Sequence, residues 1–223
     1  MLDLRTSPTL PIVGVLFAAG LALAGAVLIF GPGMPIPLHT GFSGVVDRFG
    51  GRGEIAALVV GLTLIGGLCW GVLEAMRRRA PQPHALVAAQ VVLLTAFALI
   101  GLFEGLQVFG GRAGLDVTSP RFHMASLALL FAAIGAYQGK VPQNPLVGVR
   151  TYWSRSSRLA WEKSNRLGGR LLFWCGVAGM VAAPFAPQPL GFQALILLSL
   201  VTAAASVFES WRVWRSDPER VAP

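Results

Sequence analysis

The sequence predicts an all-α, polytopic helical membrane protein with about six transmembrane helices and both termini in the cytoplasm. Three observations predict it. The chain is 54% hydrophobic and only 13% charged, whereas a soluble domain carries roughly 25% charged residues. The shortage of charge is uneven, because long apolar runs alternate with short charged connections. The basic residues, finally, concentrate on alternate connections, as the positive-inside bias requires.

A span needs about 20 apolar residues to cross roughly 30 Å of hydrocarbon. Six segments qualify: 10–30, 55–75, 85–107, 123–139, 169–187 and 191–211. The first is expected to be a retained span and not a cleaved signal. It exceeds the usual apolar core of a signal peptide, and Pro32, Pro35 and Pro37 follow where a small-residue cleavage site would stand. Pro187 and Pro189 mark a tight connection, so the last two spans should form a helical hairpin. An excess of Gly and Ala suits helices that approach closely in lipid.

With the N-terminus inside, the cytoplasmic segments hold Arg5, Arg77, Arg78, Arg79, Lys140, Arg150, Arg155, Arg158, Lys163, Arg166, Arg170, Arg212, Arg215 and Arg220. The outer connections hold only Arg48, Arg52, Arg112 and Arg121. Fourteen against four sets the orientation. Trp70, Trp153, Trp161, Trp174, Trp211 and Trp214 fall near or beyond the inner ends, where interfacial aromatics belong.

The chain reads as a single membrane domain over 1–223, since no loop is long enough to build a separate soluble core. The net charge of +8 is explained by the inner loops, so direct nucleic-acid binding is not expected. Cys69 and Cys175 lie within apolar runs without a Cys-x-x-Cys spacing, which suggests neither metal nor redox chemistry. No cofactor is implied. Ion-coupled transporters place carboxylates or broken helices near the membrane centre. Here Glu74 and Glu209 lie near inner ends beside Arg77 and Arg212, and Glu104 lies near the outer end of the third span.

The outer loop, 31–54, is Pro/Gly-rich. Pro35 and Pro37 force an extended entry, and the glycines that follow permit tight turns. His39 and Asp47 lie in this loop, His123 opens the fourth span, and Glu104 ends the third. Together they could form a polar or metal site on the outer face, since His and carboxylate suit zinc. The plainer alternative is that His39 bonds backbone carbonyls and holds the loop down, with Glu104 and His123 as interfacial polar residues.

The inner segment, 140–168, is Arg/Trp-rich. Asn144-Pro145 is a turn signal and Gly148 interrupts regular structure. Ser154 or Ser157 can cap a helix beginning near Arg158 and carrying Trp161. Asn144 and Asn165 can tie loop backbone together. Arg150 and Arg166 offer planar forks for carboxylate or phosphate. Trp153 and Trp161 are expected at the headgroup level, so composition alone makes this a lipid-facing stripe. Nothing in the chain assembles a Ser-His-Asp set, a phosphate loop or paired catalytic carboxylates, and no enzymatic activity is expected.

The ordered pattern Asn144-Pro145-x-x-Gly148-Val149-Arg150-Thr151-x-Trp153-Ser154, then Trp161 and Asn165-Arg166-x-Gly168, resembles the signature of the SdpI family of bacterial membrane immunity proteins. The Pro35-x-Pro37-x-His39 loop, with Gly44 and Asp47, resembles an N-terminal module often joined to it. In many relatives a lysine ends that module, and here Gly51-Arg52 stands instead. The resemblance implies immunity to a secreted toxic peptide at the bacterial cytoplasmic membrane. It also implies, for some members, signalling by holding a cytoplasmic transcriptional repressor at the membrane. Membrane lipids, the peptide and the repressor are the implied partners. Two other readings stay open: a membrane enzyme or lipid-handling protein using the outer His/carboxylate residues, and a small transporter lined by Thr63, Gln90, Thr95 and Ser126.

Overall fold

A computed structural model describes residues 7–80 and 83–220, so Arg5 of the charge count lies outside the described residues. The order is α1 (Leu10–Phe30), β1 (Ile36–Thr40), β2 (Val46–Gly50), α2 (Arg52–Arg79), α3 (Pro83–Phe109), a 3-10 turn (Gly110–Ala113), α4 (Pro120–Gln138), α5 (Tyr152–Arg155), α6 (Arg158–Ala182) and α7 (Leu190–Ser216). The long helices run up and down. One end of the bundle carries the β1–β2 hairpin, and the other carries the loop from Lys140 to Ser157.

Among the described residues four helices are long and apolar enough to cross a membrane: α1, α2, α3 (with its 3-10 extension) and α7. Their outward surfaces are apolar, as Val15, Ile29, Leu68, Leu197 and Val201 show. The remaining long helices, α4 and α6, are less apolar for an identifiable reason. Arg121, His123 and Gln138 make the ends of α4 polar, and α6 begins with three charged turns and contains Gly168, Gly169, Gly176 and Gly179. A span across hydrocarbon needs a lipid-facing surface, whereas these two helices spend much of theirs on each other.

The α4–α6 contact is backbone on backbone. A side chain at Gly135 would strike the Phe173 amide, one at Gly169 would meet the Gly135 carbonyl at 2.9 Å, and one at Gly176 would strike Ala132. Small residues allow this approach, which gains dispersion where no hydrophobic drive exists between helices in lipid. The fifth span expected at 169–187 is therefore the second half of a longer helix. Ser157 caps it, accepting from the Ala160 amide at 2.9 Å, and no break separates its charged start from its apolar end.

The helical hairpin of the last two spans is present, with residues 183–189 joining α6 to α7. The outer loop is more ordered than extended entry and turns imply. It forms an antiparallel hairpin pairing Ile36 with Gly50 and His39 with Arg48, irregular on either side of His39. Buried Ile36 sits in a cluster with Val27, Ile55, Val59 and Val108, which seats the base of the hairpin on α1, α2 and α3. Its tip reaches the other half of the molecule: Gly44, at φ +75°, packs against Pro120 and Phe192, at the starts of α4 and α7.

Candidate functional site

The loop between α4 and α6 is built by side chains that bond backbone. Asn144 uses both ends of its amide. Its Nδ2 donates to the Pro142 and Val147 carbonyls at 2.8 and 2.9 Å, and its Oδ1 accepts from the Leu146 and Val147 amides at 2.9 and 2.7 Å. Pro145 within this turn lacks an amide to satisfy. Asn165 closes the loop from α6, with Oδ1 accepting from the Val149 amide at 2.7 Å and Nδ2 donating to the Trp161 carbonyl at 3.0 Å. Gly148 lies between them at φ +120°, where a Cβ would stand 2.5 Å from Asn165 Oδ1 and 3.1 Å from the Trp161 ring. Only glycine meets both the left-handed backbone and the missing space.

The α5 turn locks the loop to α7. Thr151 caps α5, accepting from the Ser154 amide, and its hydroxyl lies 2.8 Å from that of Ser210. Buried Ser154 donates to the Val149 carbonyl at 2.6 Å. Ser157 donates to Asp217 beyond α7, so the same residue caps α6 and ties the C-terminal end of α7. Gly168 faces Ser206, one turn from Ser210. Ser206 and Ser210, both buried, were not singled out by sequence reasoning. Serines four residues apart in an apolar helix were the available signal, because such a pair faces a neighbour that can use its hydroxyls.

Trp161 corrects an expectation. It is not at the headgroup level but 1% exposed, with its ring among Leu73, Ala89, Val92 and Val141 and its Nε1 donating to the Val141 carbonyl at 2.7 Å. Trp153 is half-buried. The arginines divide from this frame. Arg150 donates to the Pro145 carbonyl yet remains exposed, and Arg155, Lys163, Arg166 and Arg170 are exposed around it. The motif thus has two layers. Asn144, Gly148, Thr151, Trp161, Asn165 and Gly168 make a rigid frame, and the basic side chains stand on its surface.

Beside this frame, α1, α2 and α3 share a buried polar chain. Trp70 Nε1 donates to the Thr9 hydroxyl at 2.9 Å, which donates to Gln90 Oε1 at 2.9 Å. Gln90 Nε2 donates to Glu74 at 3.0 Å, and Arg77 grips both Glu74 oxygens at 2.8 and 2.9 Å. Pairing of Glu74 with Arg77 and of Glu209 with Arg212 matches expectation. The burial of the first pair, at 4% and 3% exposure, was not legible. Gln90 is bound here and Thr63 donates to its own helix at Val59, so neither faces a polar path.

The outer candidates do not form one site. His39 and Asp47 pair on the exposed hairpin face, Nδ1 to Oδ1, at 2.6 Å. His123 is buried beneath the hairpin tip with Nδ1 3.1 Å from the Gly44 carbonyl, so it is His123, not His39, that holds the loop down. Glu104 lines a cavity between α1, α2 and α3. Pro35 and Pro37 flank Ile36 in the strand that anchors the hairpin. Among the described residues no three His, Cys, Asp or Glu side chains converge as a metal site.

A bundle of long apolar helices, with a glycine-packed pair and a side-chain-clamped loop at one end, defines a polytopic helical membrane protein. Residues 140–210 match the family model described as the SdpI/YfhL protein family. That segment holds the clamped loop, all of α6 and most of α7, and through it the chain is similar to the SdpI/YfhL family. The hairpin module at 31–54 lies outside the match. Nothing among curated proteins or solved structures matches the chain significantly.

Proposed function

We propose that the protein resides in the bacterial cytoplasmic membrane with six spans and both termini inside, and protects its cell from a secreted membrane-active peptide. The observation that carries this reading is the family match over the segment where the sequence signature folds into one hydrogen-bonded frame. The charge asymmetry supports the orientation, because it puts the frame and its arginines inside and the hairpin outside. The hairpin presents Met34, Phe42, Val45 and Phe49 as exposed apolar side chains, a surface suited to an amphipathic peptide or to the outer lipid interface.

On the inner side, Arg150, Arg155 and Arg166 stand on a fixed backbone, which suits recognition of anionic headgroups or of an acidic face on a cytoplasmic repressor. The test is expression in a peptide-sensitive host. Survival on the cognate peptide should rise, and survival unchanged at equal membrane levels of protein would refute immunity. Arg150→Ala should leave survival intact while abolishing repressor recruitment where a repressor is present. Loss of both together would mean that Arg150 serves the fold or the protection itself.

A further inference from the structure

Between α1, α2 and α3 lies a cavity of about 310 Å³. Volumes of this order hold small ligands. Phe17 and Gly20 of α1, Thr63 of α2, and Phe97 and Gly101 of α3 form its walls. Val13 and Leu94 lie at the end near the polar chain, and Leu23, Val59 and Glu104 at the end near the hairpin. From Leu94 to Glu104 the α3 wall rises about 15 Å at 1.5 Å per residue. The space is a slot along the helices, apolar for most of its length and carrying a carboxyl at its hairpin end.

That carboxyl has no partner among the described residues, where neither an ion pair nor a hydrogen bond reaches Glu104. Three cations at the same end are engaged elsewhere: Arg48 with Glu54, Arg52 with the Pro32 carbonyl and Arg112 with the Phe30 carbonyl. The Thr63 hydroxyl donates within its own helix. A carboxylate left without a partner in a membrane-spanning segment is costly.

We propose that this slot binds a membrane-dissolved lipophilic amine, with its apolar body between Phe17 and Phe97 and its ammonium group at Glu104. An ammonium supplies donors and opposite charge but no acceptor, which is what the unpartnered carboxyl requires. An ordinary acyl chain would fill the walls and leave the carboxyl unmet. The inference stands on the cavity and does not rest on the immunity reading.

The experiment uses the full chain in phosphatidylcholine nanodiscs with photoactivatable dodecylamine, dodecanol and dodecanoic acid as probes. The amine should label the α1–α3 walls saturably and be displaced by unlabelled dodecylamine, with the alcohol and the acid at least about tenfold weaker. Glu104→Gln should weaken the amine about tenfold and leave the alcohol unchanged. Gly101→Leu, at a position where an added Cβ meets nothing within 4 Å, should fill the slot and abolish labelling by all three. Equal binding of amine and alcohol, an unaltered amine affinity in Glu104→Gln, or equal labelling of the lipid face of α7 at Leu197 and Val201 would overturn the proposal. Should Glu104→Gln fail to fold, the preference of the parent for amine over alcohol and the loss of labelling in Gly101→Leu carry the same decision.

Discussion

Between α4 and α6 the backbones touch, with Gly135 and Gly169 leaving no room for a Cβ; among α1, α2 and α3 the side chains hold the helices apart. Gly66 meets the Phe97 ring and Gly67 the Phe17 ring, and a cavity of about 310 Å³ stays open between them. The first region gains its stability from close dispersion contacts, and its loop from hydrogen bonds that Asn144 and Asn165 make to backbone. The second gains its cohesion at its two ends, from the Thr9–Gln90–Glu74–Arg77 chain and from the apolar seat of Ile36. The difference teaches that the family segment is built to be rigid, while the α1–α3 half is built to hold space.

The sharpest way to break that contrast is to add volume. Gly135→Leu drives a side chain into the Phe173 backbone and should destabilise by about 3 kcal/mol or more, seen as loss of folded, monodisperse protein in detergent. Gly25→Leu, with nothing near its added Cβ, should melt like the parent. Equal loss in both would mean that the glycines act through helix propensity and not through contact.

Removing one partner of a buried ion pair comes next. Arg77→Leu removes the buried partner of Glu74 and leaves its carboxyl only Arg78, at 2.9 Å, and Gln90, and should cost about 3 kcal/mol, read as a lowered midpoint in mixed-micelle unfolding. Arg77→Leu combined with Glu74→Leu should recover much of it, because the desolvation cost disappears with the charge. Failure to recover would show that Gln90 and Thr9 also depend on the carboxylate.

Trp161→Ala empties the site beside Leu73 and Val92 and orphans the Val141 carbonyl. A loss of about 3–5 kcal/mol is expected from the cavity alone. Trp153→Ala, at a half-buried ring, should cost far less by the same unfolding assay, and equal costs would return Trp161 to an interfacial role. Asn165→Ala frees the part-buried Val149 amide and should cost about 1–3 kcal/mol, accompanied by faster amide exchange over 144–151. Ser157→Ala removes the α6 cap, at about 1 kcal/mol, together with the hydroxyl that Asp217 accepts from. Its effect should appear as fraying of the first turn of α6 in the same exchange experiment.

Much of the fold was legible. Apolar runs of about 20 residues can only be lipid-facing or deeply buried, and the expected spans 10–30, 55–75, 85–107 and 191–211 lie on α1, α2, α3 and α7. The turn at Asn144 and the cap at Ser157 were legible because both are local, set by residues within a few positions. The β1–β2 pairing was hidden because Pro35, Pro37 and the glycines speak against regular structure one residue at a time, while pairing depends on two segments. The candidate site was legible as an ordered string of residue types and not as a structure. Trp161 is the clearest case. In sequence it stands among arginines, as an interfacial tryptophan does, and only the return of α6 beside α2 and α3 places its ring in a core.

By itself the sequence determined the class of protein, the segments in which its charges concentrate and the string of residues that marks the family segment. These depend on hydropathy, charge and local turn chemistry, which neighbours along the chain can express. The tertiary structure alone decided that Trp161 is core, that Gln90 joins Thr9 to Glu74, that His123 and not His39 holds the hairpin, and that Glu104 faces a slot without a partner. Each of these joins residues at least 16 positions apart, and such a contact exists only once packing has brought separate helices together.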